Sequence, residues 1–262
     1  MNFGIEIKDN PRTFQEKLIW LQFYGKSNWL KPKCSDKLGL HEYALEMVGK
    51  DICVPVIREY ESLADILLDE LPNEFILKTN HGSGQFVICK DKKGFDLEGA
   101  KKKLASWLSM PYGVKSCEPH YLYIKRRCYA ETLLKNRNCD PVDNYKLFCF
   151  NGKPKLIQME CDLRTPNERF HFYDMDLKLT DICRTDHPSK PHLAKFDVLP
   201  TRLDLMKSYA EKLAAPFKFV RVDFYEVNGE VYLGEMTFVP GAAKLNFKNP
   251  NVSIQLGDML KL

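Results

Sequence analysis

Two acidic residues near the C-terminus occur in a pattern that can hold a cation. Residues Phe219 to Phe238 read as two strands joined around Asn228-Gly229. Alternate residues of a strand share a face. Phe219, Arg221, Asp223 and Tyr225 therefore lie on one side of the first strand, and Val220, Val222 and Phe224 on the other. In the second strand Val231, Leu233, Glu235 and Thr237 alternate with Tyr232, Gly234, Met236 and Phe238. A two-residue turn would oppose Asp223 to Gly234. A three-residue turn, Asn228-Gly229-Glu230, opposes Asp223 to Glu235 and Arg221 to Thr237. That register also gathers Val220, Val222, Phe224, Tyr232, Met236 and Phe238 on one apolar face, and a one-residue slip would expose half of the set, so burial selects it. Facing carboxylates repel unless a cation or a shared proton lies between them. Hard oxygen donors at this spacing suit Mg²⁺, which keeps waters and completes its shell with phosphate oxygens. The competing reading is a structural ion cluster in which Arg221 pairs with both acids.

A second candidate is Lys78-Thr-Asn-His-Gly-Ser-Gly84, a lysine at a strand end followed by a glycine turn. Glycine lets backbone N–H groups approach a phosphate closely and tolerates positive φ. Ile76 and Lys78 share a face, so the strand aims the ammonium into the same cleft as the loop. The spacing is neither a Walker A motif nor GxGxxG, and Gly82-Ser83-Gly84 is not a GxSxG elbow. Taken alone, the segment is better explained as an ordinary glycine hairpin turn.

These groups need elements to carry them. Phe14, Leu18 and Leu21 indicate a short helix, with Ser35 the expected N-cap of another that carries Leu38, Tyr43, Ala44 and Met47 and closes at Gly49. Leu63 to Leu71 reads as a helix. Strands are expected at 74–78, 85–90, 121–134, 145–150 and 154–160, with a helix after Asp96 and one opened by Thr201 and Asp204. Residues 164–195, rich in Pro, Asp and His, read as loop with short strands. The interleaving predicts an α+β fold with hairpins outnumbering βαβ units.

At 262 residues, 44% hydrophobic and 28% charged, the chain can bury a sizeable core and is not disordered. The net charge of +4 is carried by scattered residues, which argues against a nucleic-acid partner. Nine cysteines, an odd number with no CxxC or zinc spacing, read as reduced thiols of a cytoplasmic protein. No stretch approaches the about 20 apolar residues of a transmembrane segment, and Met1 to Asn10 does not read as a signal peptide.

The wording of several segments resembles the TupA-like branch of the ATP-grasp superfamily. They are Asp36-Lys37-Leu38, residues 71–84, Asn144 to Gly152, Phe172-Tyr-Asp174, Arg221-Val-Asp-Phe-Tyr225 and Gly234-Glu-Met-Thr-Phe238. The resemblance implies an ATP-grasp fold: two α+β lobes clasping ATP, here with a shortened N-terminal region (residues 1–35) before a catalytic domain (36–262) whose lobes meet near 130–145. It implies that Lys37 and Lys78 bind the phosphates and that the backbone of His81, Gly82, Ser83 and Gly84 covers them. Ala130 to Leu134 would be the adenine hinge, read by Glu131 and the backbone around Leu133. Asp140 or Asp143 would take the ribose, and Lys146 would face the nucleotide. Asp223 and Glu235 would hold Mg²⁺ with Thr237, where relatives commonly place asparagine. Arg221 would stabilise the transferring phosphoryl group and a tetrahedral oxyanion.

The implied activity is carboxylate–amine ligation through an acyl phosphate, in the setting of cell-surface polysaccharide biosynthesis. Its substrates would be a carboxylate and an amine donor, with Arg164 and Arg169 as candidates for an anionic acceptor group. Two alternatives use the same residues. One is a kinase acting on a hydroxyl; the other is a glycosyltransferase, for which Asp174-Met175-Asp176 is the supporting triplet.

Overall fold

In the computed structural model, residues 7–116, 118–135, 142–161, 169–185 and 199–262 are described. In chain order the elements are α1 (Phe14–Tyr24), α2 (Lys31–Ser35), α3 (Gly39–Val48), β1 (Val56–Tyr60), β2 (Phe75–Thr79), β3 (Phe86–Cys89), α4 (Leu97–Ser109), α5 (Tyr112–Lys115) and β4 (Cys128–Thr132). There follow β5 (Asn144–Phe150), β6 (Lys153–Cys161), β7 (Arg169–Asp174), α6 (Leu203–Ala214), β8 (Phe219–Val227), β9 (Glu230–Thr237) and α7 (Asn251–Met259). Two antiparallel sheets result, a four-stranded one in the order β1-β4-β2-β3 and a five-stranded one in the order β7-β6-β5-β8-β9.

Each sheet has its own core. The smaller sheet buries Phe75, Leu77, Cys89, Cys128 and Ala130 against Ala100 and Leu104 of α4, whose first turn is capped by Asp96 accepting from Gly99 N at 2.8 Å. The larger sheet shares one continuous core with α6 and the N-terminal helices, including Phe14, Leu18, Tyr43, Leu147, Val222 and Leu213. The Tyr43 hydroxyl donates to Leu213 O at 2.7 Å, tying α3 to α6. Helix α1 is fixed by a full capping box, with Thr13 and Glu16 each serving the other's backbone N–H.

Several expected elements change character. Leu63 to Leu71 forms two 3-10 turns, Leu63–Asp65 and Leu68–Glu70, and not a helix. The expected strand from Tyr121 begins instead as a 3-10 helix, Pro119–Tyr123, with the strand confined to Cys128–Thr132. Ser35 ends α2 and does not cap α3, which starts at Gly39 after the Asp36 side chain accepts from Leu38 N at 2.9 Å. Thr201 bonds Glu226 and does not open α6. At Ser62, which caps the first 3-10 turn, and at Asp36, a local hydrogen bond of a short polar side chain prevailed over the expected pattern.

The C-terminal hairpin carries the most informative difference. Its turn has two residues, Asn228 and Gly229, both at positive φ (53° and 82°), and Val227 opposes Glu230. The three-residue turn expected from burial is therefore absent. Asp223 nevertheless opposes Glu235, and Arg221 opposes Thr237, because a β-bulge lies between these pairs and Phe224↔Leu233. The extra residue is Gly234. The bulge also turns Leu233 into the core beside Phe224, where simple alternation had set it on the charged face. The Tyr225 ring lies over Gly234, so a Cβ there would meet Tyr225 Cε2 at 2.6 Å. We expect Gly234→Val to lower stability by about 1–3 kcal/mol through this overpacking, read as a lower denaturant midpoint. An unchanged midpoint would show that the ring does not depend on the missing side chain.

Candidate functional site

Asn80, fully buried at the end of β2, organises one wall of the cleft. Its amide Nδ2 donates to Asp36 Oδ1 at 2.8 Å and to Lys125 O at 2.9 Å, and its Oδ1 accepts from Arg127 N at 2.7 Å. Its carbonyl accepts from Lys37 N at 3.1 Å. One amide thus sets the positions of the α2–α3 junction, the glycine loop and the approach to β4. Through that junction Lys37 reaches the loop, where its ammonium donates to Gly82 O at 2.6 Å. Thr79 and Gln85 bond across the base of the loop, Gly84 has φ +71°, and a Cβ on Gly82 would strike the Gln85 side chain. Ser83 and Gly84 stand exposed at the tip, while His81 is buried.

Beside the loop, Lys78 forms an ion pair with Glu131, which also accepts from the Tyr129 hydroxyl at 3.3 Å. Leu133 follows directly after β4, whose last residue Thr132 bonds Pro55 O at 3.0 Å. From the larger sheet, the ladder aligns Lys146, Asp223 and Glu235 as directly opposed residues of β5, β8 and β9. Lys146 pairs with Glu160 at 2.5 Å, and Gln158 donates to the same carboxylate at 2.6 Å.

Arg221 sits at the centre. Its Nε and Nη2 bond both oxygens of Asp223 at 2.7 and 2.6 Å, and Nη2 also reaches Glu235 Oε1 at 3.0 Å and Thr237 Oγ1 at 3.1 Å. Thr237 donates to the same Glu235 oxygen at 2.9 Å. The ion cluster that competed with the metal reading is thus present in the protein. It does not exhaust the donors, because among the described residues the hydrogen bonds to Glu235 fall on Oε1. An oxygen-only donor set of two opposed carboxylates fits a hard divalent cation such as Mg²⁺.

The electrostatics join the two walls. Burial pushes the Lys37 ammonium down, and Glu235 from one sheet, with Glu131 from the other, opposes that while Lys78 adds to it. Burial would raise Glu235, but Lys37, Arg221 and Lys146 outweigh it and hold the carboxyl at about 2. Asp223 is pushed by burial to about 6, which Arg221 and Lys146 only partly offset. The structure therefore brings together Lys37, Lys78, Glu131, Lys146, Arg221, Asp223, Glu235 and Thr237.

Other candidates fare differently. Asp140 and Arg164 lie outside the described residues, as does the Arg169 side chain; Asp143 is buried. The Asp174 carboxylate is committed to its own turn, accepting from Asp176 N and Lys178 N at 2.9 Å each, which weakens its use in a metal triplet. His41, Asp51 and Cys53 cluster beside a cavity of about 440 Å³, but Asp51 already bonds His41 Nδ1 at 2.7 Å and Cys53 N at 2.9 Å as a clasp between α3 and the following loop.

Three neighbours escaped the sequence reading. Glu160 could have been found, because Gln158 and Glu160 alternate with Ile157 and Met159. Tyr225 was placed on the correct face, but its position over Gly234 depends on the bulge. Glu118 carries no periodic signal, since it lies in an irregular stretch before the Pro119–Tyr123 turn, yet it is buried and electrostatically coupled to Arg221 and Glu235.

Among solved structures, the L-amino acid ligase from Bacillus licheniformis is 16% identical, with a TM-score of 0.49 over 80% of this chain and 44% of its own. The D-alanine–D-alanine ligases from Bacillus anthracis and Helicobacter pylori are 18% and 17% identical, each with a TM-score of 0.47. They cover 87% and 94% of this chain, and 66% and 69% of their own. The chain thus spans less than half of the first of these proteins and about two thirds of the others. No functionally curated protein matches it. Residues 16–261 match the family described as TupA-like ATPgrasp, a match that takes in both sheets and the whole cleft, and the chain belongs to that family.

Proposed function

We propose that this chain is an ATP- and Mg²⁺-dependent ligase that joins a carboxylate to an amine through an acyl phosphate. The single observation that carries the reading is the convergence of Lys37, Lys146 and Arg221 on a pair of opposed carboxylates, with the Lys78–Glu131 pair of the other sheet coupled to the same Lys37. Such a site concentrates positive charge where a triphosphate must lie and supplies oxygen donors for its metal.

Lys37 and Lys78 are suited to the phosphates, and the backbone of His81, Gly82, Ser83 and Gly84 to covering them. Glu131, with the backbone at Leu133, faces the base, and Lys146 extends the cationic row along β5. Asp223 and Glu235 would hold Mg²⁺, with the Thr237 hydroxyl orienting Glu235 from 2.9 Å. When bound, Mg²⁺ neutralises charge on the transferring phosphoryl group. Arg221 is a permanently charged fork already fixed by three side chains, so it can meet the oxyanion formed on amine attack without reorganising. No side-chain nucleophile is required.

The setting we infer is the cytoplasm, with a surface-polysaccharide precursor as the acceptor. Six described cysteines are free thiols, and no described helix is long and apolar enough to cross a membrane. The polysaccharide setting is carried over from the sequence resemblance alone.

Thermal shift distinguishes the nucleotide: stabilisation by ATP–Mg²⁺ is expected, and a response to UDP-sugars alone would sink the ligase reading. Product analysis then separates amide, ADP and phosphate from a phosphorylated product, which is what a kinase would leave. Asp223→Asn and Glu235→Gln should each lower ATP turnover by at least about 100-fold; retained turnover in both would remove the metal assignment. Lys78→Met should weaken ATP binding by about tenfold or more, measured by titration calorimetry, and unchanged affinity would return Lys78 to a purely structural partner of Glu131.

A further inference from the structure

The stretch between α4 and β4 brings another buried carboxylate to the Arg221 end of the cleft. Glu118 is 4% exposed, and its main chain is held at both sides: its N–H donates to Gly113 O at 3.0 Å and its carbonyl accepts from Tyr121 N at 3.1 Å. Gly113 approaches so closely that a Cβ there would lie 2.7 Å from Glu118 O. The Ser116 hydroxyl lies against the carboxylate, and Glu235, Arg221 and Lys31 are its charged neighbours.

Lys31 does not neutralise it by contact. The residue is 6% exposed, and its ammonium donates to Leu21 O at 3.0 Å and lies 5.5 Å from the Phe238 ring centroid. Two residues after Glu118, His120 packs edge-on to the same ring at 5.7 Å, and both of its buried nitrogens lack a hydrogen-bond partner among the described residues. A buried carboxylate with no contacting cation among the described residues, two positions before an unpartnered imidazole, is costly for stability alone. Burial raises Glu118 and lowers Lys31, in keeping with that cost.

We propose that Glu118 forms a binding subsite for the nucleophile, a substrate that carries a primary ammonium group, with His120 bonding a polar group of the same molecule. The inference rests on the ligase reading. In such a reaction ATP, the carboxylate substrate and the phosphate product are all anions, and Lys37, Lys78, Lys146 and Arg221 serve them. Glu118 at the edge of that cluster offers an anion no positive charge, whereas its carboxylate accepts directly from an ammonium that enters beside it, and that pairing relieves the burial that raises the unpaired acid to about 8. Its position beside Arg221 holds the nitrogen next to the group that would stabilise the oxyanion.

The test compares wild type with Glu118→Gln and Glu118→Asp. Each is supplied with ATP–Mg²⁺ and a panel of amino acids and uronic acids, tried in pairs, with and without hydroxylamine, an uncharged nucleophile at neutral pH. Products are read by mass spectrometry. In Glu118→Gln we expect hydroxamate formation and the ATP–Mg²⁺ thermal shift to persist, while amide formation from amine substrates falls about 100-fold through a raised amine KM. Glu118→Asp should recover part of it. Equal loss of hydroxamate and amide, or undiminished amide formation, overturns the inference and leaves the ligase reading standing. A wild type that forms neither product from any pair removes the ligase reading, and this subsite with it.

Discussion

One guanidinium, that of Arg221, must serve two carboxylates and a hydroxyl in a largely buried position. Its side chain is 12% exposed, and no geometry other than the opposed register of β8 and β9 brings Asp223, Glu235 and Thr237 to it together. Charges this deep are costly unless each hydrogen-bonding position is used. The surroundings reflect that need: Lys146 stands one strand away, Lys37 approaches from the α2–α3 junction, and Glu160 balances Lys146 in turn. The cluster is thus a balanced charge network, and a triphosphate with its metal would enter as one more pair of opposite charges.

The opposite wall obeys a different constraint. Lys78 and Glu131 come from neighbouring strands of the smaller sheet, whose hydrophobic core is separate from that of the larger sheet. The coupling between Lys37, Glu131 and Glu235 acts through space. Asn80 is the exception to the division, since its amide holds segments from both sides of the glycine loop.

Much of this was legible from residue types. Strand alternation assigned Arg221, Asp223, Glu235 and Thr237 to one face, and the glycine loop after Lys78 stood out from its spacing. Burial reasoning also found the correct opposition of the two acids. It did so through the wrong device, because a hydrophobic pattern specifies which residues must face inward and not where along the strand the phase is corrected. Glu118 and Lys31 were illegible for another reason. Neither sits in a periodic element that aims it at the site, and only tertiary packing of a short turn against α2 brings the two near each other.

The bulge at Gly234 separates two properties of the hairpin that usually vary together. In an uninterrupted hairpin, loop length sets the opposition of every pair below it. Here the phase is corrected three residues from the C-terminal end of β9, so the Asn228-Gly229 turn governs only the pairs from Val227↔Glu230 to Phe224↔Leu233. The chemistry-bearing half of the ladder takes its phase from a single residue without a side chain. The outer tip can therefore change without shifting the acids, which one small residue keeps in step.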